Sequence, residues 1–253
     1  MSDTNKETVK PGAKEKITTE KRHIVIYGYT REELKNIMRH FEAQLPDYVK
    51  IKIDTDNLVT NITLTGVNTG LELLRFKMNK FQQSLSAIFS EETITTENKS
   101  VSQVLGELLT ERELTVSCAE SCTGGNIAHK ITQNSGSSGY FLGSVVSYSN
   151  DVKAKVLNVS RSDLGRFGAV SKQVAEEMVR GVADLMQTDC AMATTGIAGP
   201  DGGTPEKPVG TVFIGISRQG RCFAQEFHFR GKRPWIRTLA CSNALNLLRL
   251  EML

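Results

Sequence analysis

The chain has 253 residues, a formal net charge of +3, 39% hydrophobic and 23% charged residues, which is the balance of an ordinary globular protein with one large or two modest domains. So small a charge does not argue for a nucleic-acid partner, and no apolar run approaches the ~20 residues of a membrane span. The polar amino terminus lacks the apolar segment of a secretory signal, and five cysteines without CxxC spacing beside four scattered histidines argue against structural zinc and for a reduced, cytoplasmic protein.

In chain order, residues 1–20 are polar and without periodicity, which predicts a disordered tail. "RHIVIYGY" has a strand pattern and "REELKNIMRHFEAQL" that of an amphipathic helix closed before Pro46. "YVKIKID" and "VTNITLTG" alternate like paired strands, "GLELLRFKMNKFQQSL" is a second amphipathic helix, and "AIFSEE" reads as a last short strand. Residues 21–95 are thus expected to form a small α+β module with two helices over an antiparallel sheet. It has no GxxG loop and no basic, aromatic-rich strand face, so packing or dimerisation fits better than RNA binding.

Past the polar stretch "SEETITTENKS" the pattern changes, and residues 96–253 alternate helix and strand. The strands are "LTVSCAE", "FLGSVVSYS", "CAMATTGI", "GTVFIGISR" and "RCFAQEFHFR"; helices are expected around them, the last over 234–253. This order predicts an α/β/α sandwich, in which sites form where strands turn into helices.

Three such turns have unusual composition. In "AESCTGG" a strand ends at Ala119 or Glu120, and Ser121, Cys122, Thr123, Gly124 and Gly125 lead into a helix. Free N–H groups there attract an anion or an oxyanion, and glycine lets a ligand approach the backbone. The same residues also suit a plain helix cap, and GxSxG and SxxK signatures are absent. In "SYSNDVK" Tyr148 ends a strand, Ser149 or Asn150 caps a helix, and Lys153 falls in its first turn. The positive helix end disfavours an ammonium there, which lowers a lysine pKa toward what a general base requires. Lys155, two residues on, has the character of a surface lysine. The stretch "TTGIAGPDGGTPEKPVGT" holds five glycines and three prolines. Thr194 and Thr195 offer hydroxyls to a polar substrate, and glycines such as Gly196 and Gly199 permit close backbone approach. The same stretch would also serve as a long surface connection. Downstream, residues 218–237 carry six basic residues, among them Arg233 and Arg237, against the single acid Glu226. Pro234 suits the first position of the last helix, so Arg233 sits at its mouth as a candidate phosphate clamp.

Taken together, "AESCTGG", "GSSGYFLGSVVSYSNDVK", "GAVSKQVAEEM" and "TTGIAGPDGGTPEKPVGTVFIGI" resemble the CinA C-terminal domain family, which includes the nicotinamide-nucleotide amidases. The likeness runs from about residue 100 to the carboxy terminus, and residues 22–95 resemble the small KH-type domain that precedes it in longer CinA proteins. The molybdopterin-binding-like domain of those proteins has no counterpart here, so their metal-dependent pyrophosphatase reaction is not expected. The resemblance implies hydrolysis of the carboxamide of nicotinamide mononucleotide to nicotinate mononucleotide and ammonia, with no metal or cofactor. It places Ser121 on the nucleophile, Tyr148 and Lys153 on its activating partners, Thr195 on a substrate contact and Arg233 on a phosphate contact. The family's Gly-Asp-Arg is here Gly-Lys-Arg at 231–233, which makes the region more attractive to phosphate. Glycines 124, 125, 196 and 199 and Thr123 are expected at the substrate, and the N–H groups of Cys122 and Thr123 at the oxyanion; the same end could hold phosphate instead. Glu120 either orients Lys153 or partners a neighbouring helix. A homodimer without membrane or nucleic-acid partners is expected. The competing class is a non-catalytic adaptor or nucleotide-binding protein linked to competence or DNA damage.

Overall fold

A computed structural model describes residues 17–56, 58–68 and 70–253. The expected tail at 1–16 lies outside the described residues, whereas Thr18–Glu20, also assigned to it, open the first strand.

β1 (Thr18–Tyr27), β2 (Val49–Asp56) and β3 (Val59–Asn68) pair antiparallel, with α1 (Arg31–Glu42) and α2 (Leu71–Ile88) on one face. α1 starts where Thr30 and Glu33 form a reciprocal capping box, which satisfies two otherwise free backbone donors. Alternation along β1 decides the packing. Ile24 and Ile26 meet Leu34, Met38, Leu74 and Met78 of the two helices, while Val25 faces the other way into the core of the larger unit. The last strand differs from the sequence expectation. α2 continues through Ile88, and β4 is Thr93–Thr95, in the polar stretch just after the expected strand at 87–92 and still within the expected module. Ile94 explains this, because it is buried beside Val25 in the larger core, and burying such a side chain contributes roughly 1.5–3 kcal/mol. The strand order of this sheet is β2-β3-β1-β4.

The second unit begins with α3 (Val101–Glu111), capped by Ser100 and Gln103. It continues with β5 (Val116–Glu120), α4 (Asn126–Thr132), β6 (Phe141–Val146), α5 (Asn150–Leu157), α6 (Arg161–Phe167), α7 (Lys172–Met186), β7 (Cys190–Gly196), β8 (Thr211–Arg218), β9 (Arg221–His228) and α8 (Arg233–Leu250). The sheet order is β6-β5-β7-β8-β9, parallel among the first three and antiparallel beyond. α3, α4 and α8 bury their apolar sides on one face, and α7 with the end of α5 covers the other. The fold is therefore an α/β/α sandwich. α6 was not visible in the sequence pattern, because its seven residues bury no side chain.

Two features of this topology place the site. From β5 the chain passes over one face through α4 to β6, and returns over the other face through α5, α6 and α7 to β7. The helices that follow the neighbouring strands β5 and β6 thus lie on opposite faces of the sheet, which opens a crevice at the carboxyl ends of these strands. α5 also lies tight against α7: a Cβ at Gly181 would collide with the carbonyl oxygen of Leu157, the last residue of α5.

Candidate active site

At the carboxyl end of β5 the sheet ladder runs one residue past the strand, since the Ser121 N–H donates to the Thr194 carbonyl at 2.9 Å. The chain then leaves the sheet through a turn containing Gly124 (φ +58°) and Gly125 (φ +96°), a left-handed conformation that a side chain strains. Thr123, fully buried, shares a 2.7 Å hydroxyl–hydroxyl hydrogen bond with Thr194 and so ties the turn to β7.

The start of α4 is not free, contrary to the expectation from sequence. The fully buried Glu120 carboxylate accepts the N–H groups of Gly125 (2.9 Å), Ile127 (3.1 Å) and Ala128 (3.0 Å). It has no contact with Lys153, so of its two expected roles it takes that of partner to a neighbouring helix. The Gly125 N–H is thereby withdrawn from substrate. Among the described residues, none accepts from the N–H groups of Cys122, Thr123 or Gly124. Those three remain the open donors beside Ser121.

Across the crevice, the Ser149 hydroxyl caps α5 by accepting the Val152 N–H at 3.2 Å, and Lys153 follows in the first turn. Its side chain turns inward and is 1% exposed. Nζ lies 2.9 Å from Ser121 Oγ and 2.7 Å from the Ser147 carbonyl. Neither neighbour is anionic, and burial pushes the lysine pKa down because an ammonium loses its hydration there. Lys155 is exposed and 4.0 Å from Asp151.

The other expected residues divide into those at the mouth and those engaged elsewhere. The Tyr148 hydroxyl, on a 60% exposed side chain, accepts from Arg233 at 2.7 Å and does not reach Ser121 or Lys153. Arg233, the first residue of α8, also donates to the Gly199 carbonyl at 2.9 Å, so it bridges two loops at the rim. Thr195 is buried and its hydroxyl donates to the Ala169 carbonyl at 2.7 Å, while the parallel register of β5 and β7 sets its backbone beside Ser121. Gly196 is required by packing, since a Cβ would lie 2.8 Å from the Thr211 carbonyl oxygen. Cys122 is buried, with its thiol pKa pushed up to about 11, mainly by burial; only its backbone can take part.

Sequence reasoning passed over two contributors. The Ser147 carbonyl that holds Lys153 left no signal, because any residue supplies a carbonyl. Arg237 did leave one: it follows Arg233 by four residues, a spacing that puts both on one side of a helix. A cavity of about 480 Å³ between the two units, lined by Tyr29, Arg31, Phe229 and Trp235 among others, contains none of the residues around Ser121. Among the described residues no three His, Cys, Asp or Glu side chains converge as metal ligands, and no helix is long and apolar enough to cross a membrane.

A serine hydroxyl in hydrogen-bond reach of a buried lysine is an arrangement in which an amine can take up the hydroxyl proton. The model of the CinA C-terminal domain matches residues 98–252, and the chain belongs to that family. It is 46% identical over 160 residues to a CinA-like protein of Geobacter metallireducens, covering 63% of this chain and 39% of the relative. To a CinA-like protein of Syntrophomonas wolfei it is 38% identical over 239 residues, 94% of this chain and 57% of the relative. The chain thus spans about half the length of these curated relatives, or less. Among solved structures it resembles a CinA superfamily protein from Escherichia coli (TM-score 0.58, 32% identity, 60% of this chain and 88% of the other). It likewise resembles a competence/damage inducible protein from Agrobacterium tumefaciens (TM-score 0.57, 37% identity, 62% and 98%).

Proposed function

We propose that the carboxy-terminal unit hydrolyses the carboxamide of nicotinamide mononucleotide, with Ser121 as nucleophile and Lys153 as its base. The observation that carries this reading is the 2.9 Å contact between Ser121 Oγ and a buried lysine that has no anionic partner. An amide is a weak electrophile, so the serine must lose its proton and the oxyanion must meet donors.

In the first half-reaction neutral Lys153 takes the Ser121 proton as Oγ bonds to the carboxamide carbon. The carbonyl oxygen gains charge against the Thr123 and Gly124 N–H groups. Lys153 then gives its proton to the amide nitrogen, the C–N bond breaks, and ammonia leaves an acyl ester on Ser121. In the second half, Lys153 takes a proton from water as the hydroxyl adds to the ester. It returns that proton to Ser121 as the C–O bond breaks and nicotinate mononucleotide departs. Proton transfer is direct, because Tyr148 has no hydrogen bond to either partner. Arg233, with only neutral acceptors, and the Tyr148 hydroxyl it holds are suited to the substrate phosphate at the rim. Residues 21–95 act as a packing module on this unit.

The test is ammonia release from nicotinamide mononucleotide by the wild type, Ser121→Ala and Lys153→Ala. The wild type releases ammonia and both variants lose it; an inactive wild type, or an active Ser121→Ala, overturns the reading. Tight nucleotide binding without ammonia release would point to a nucleotide-binding protein instead. Nicotinamide riboside tests the rim: preference for the nucleotide falls in Arg233→Ala, and an unchanged preference removes the phosphate role.

A further inference from the structure

The turn after Ser121 is held from behind by a residue that no part of this chemistry requires as a ligand. Arg237 projects from the second turn of α8, where its Nε donates to the Cys122 carbonyl at 3.1 Å and one terminal nitrogen donates to the Thr123 carbonyl at 2.6 Å. No ion pair among the described residues involves it, and both of its acceptors are backbone carbonyls of this one turn.

In a trans peptide the C=O and N–H point in opposite directions across the peptide plane. The peptides joining Cys122 to Thr123 and Thr123 to Gly124 are trans. When both carbonyls converge on one guanidinium, the Thr123 and Gly124 N–H groups must both be directed away from it. Neither donor has an acceptor among the described residues. We infer that Arg237 is a positioning residue for the oxyanion hole: it grips the outer oxygens of two successive peptides so that their N–H groups face the reacting carbonyl together. This rests on the amidase reading above and adds to it the residue that sets the donors' direction.

Three further observations agree. The guanidinium polarises both peptides, since a charged donor on a carbonyl oxygen strengthens the N–H of the same peptide as a donor. A Cβ at Gly124 would lie 3.1 Å from the Arg237 terminal nitrogen, so the glycine leaves room for the grip as well as supplying φ +58°. The Thr123–Thr194 hydroxyl bond anchors the same turn to β7, leaving rotation of the peptide planes as the freedom that Arg237 removes. Lysine cannot replace it, because a single ammonium lacks the planar fork that spans two carbonyls.

The experiment compares wild type, Arg237→Ala and Arg237→Lys in steady-state ammonia release, with crystal structures of the folded variants. Loss of one oxyanion donor typically costs about 10²–10³-fold in kcat. We expect a fall in kcat on the order of a hundredfold in both variants, with KM for nicotinamide mononucleotide within about threefold. Guanidinium ion added at millimolar concentration restores part of kcat to Arg237→Ala but none to Ser121→Ala. In the Arg237→Ala crystal at least one of the two peptides is turned. Three results overturn the inference while leaving the amidase reading intact: Arg237→Ala retaining more than half of wild-type kcat, the whole effect falling on KM, or unturned peptides in the variant crystal. A wild type that releases no ammonia overturns both.

Discussion

The turns that open α4 and α5 face each other across one crevice, and each follows a parallel strand. Each also buries an ionisable side chain almost completely, Glu120 at 0% and Lys153 at 1% exposure. They differ in what surrounds the group. Glu120 meets three backbone N–H donors, which close the end of α4. Lys153 meets one hydroxyl and one carbonyl, and its helix is capped by another residue, Ser149. A buried polar group with all its partners holds structure, whereas one with neutral partners and little solvent is free to exchange a proton. On the amidase reading, the base belongs to the turn whose ionisable group stays incompletely satisfied.

Substitutions can break this contrast. The largest effect is expected for Ser121→Ala, which removes the atom that Lys153 serves; ammonia release should fall on the order of 10⁴-fold or more. Lys153→Met removes only the base and should lower kcat by about 10²–10⁴-fold while raising the melting temperature near neutral pH. The sign follows from the lowered pKa. Below its folded pKa the buried side chain carries its proton and the cost of burying the ammonium is full; that cost fades as pH rises from there toward about 10.4, the unfolded value. The melting advantage of Lys153→Met should therefore shrink in alkaline buffer. For the same reason wild-type kcat should rise with pH, with a midpoint below 10.4; a midpoint at or above that value would show a lysine as solvated as in free solution.

Glu120→Ala sharpens the other side of the comparison. It leaves buried donors unpaired and should cost on the order of 3 kcal/mol of stability in denaturant titration. Unlike Lys153→Met, it destabilises at neutral pH, and equal signs for the two variants would erase the distinction between the turns. The smallest effect belongs to Tyr148→Phe. Losing one rim hydrogen bond should raise KM for nicotinamide mononucleotide about 2- to 10-fold with little change in kcat, whereas a fall in kcat as large as that of Lys153→Met would place Tyr148 in the proton path.

Much of this geometry was legible before folding. Alternation in β1 to β3 and the 3.6-residue period of α1, α2 and α7 identified most elements, because one buried face imposes its period on the sequence. β4 escaped, since its burial rests on one isoleucine meeting a core built some distance along the chain. Ser121 and Lys153 each also suited an ordinary helix cap or surface position by themselves; their motifs taken together, and the family resemblance, put them forward. The partners that depend on where backbone points were hidden. Glu120 looked as ready to serve Lys153 as a helix, and Arg237 looked like any solvated arginine until folding brought two backbone carbonyls within reach of its guanidinium. Gly125 was expected at substrate, yet its N–H is consumed inside the chain.

Gly181 carries a consequence for the reach of Lys153. Because a Cβ there would meet the Leu157 carbonyl oxygen, the missing methyl group works as a depth stop that lets α5 settle fully against α7. Lys153 is four residues earlier on that same rigid rod, so any side chain at 181 would lift the rod and draw the amine back from the serine. How far the amine reaches toward Ser121 is thus calibrated from a helix that supplies none of the hydrogen bonds to either residue.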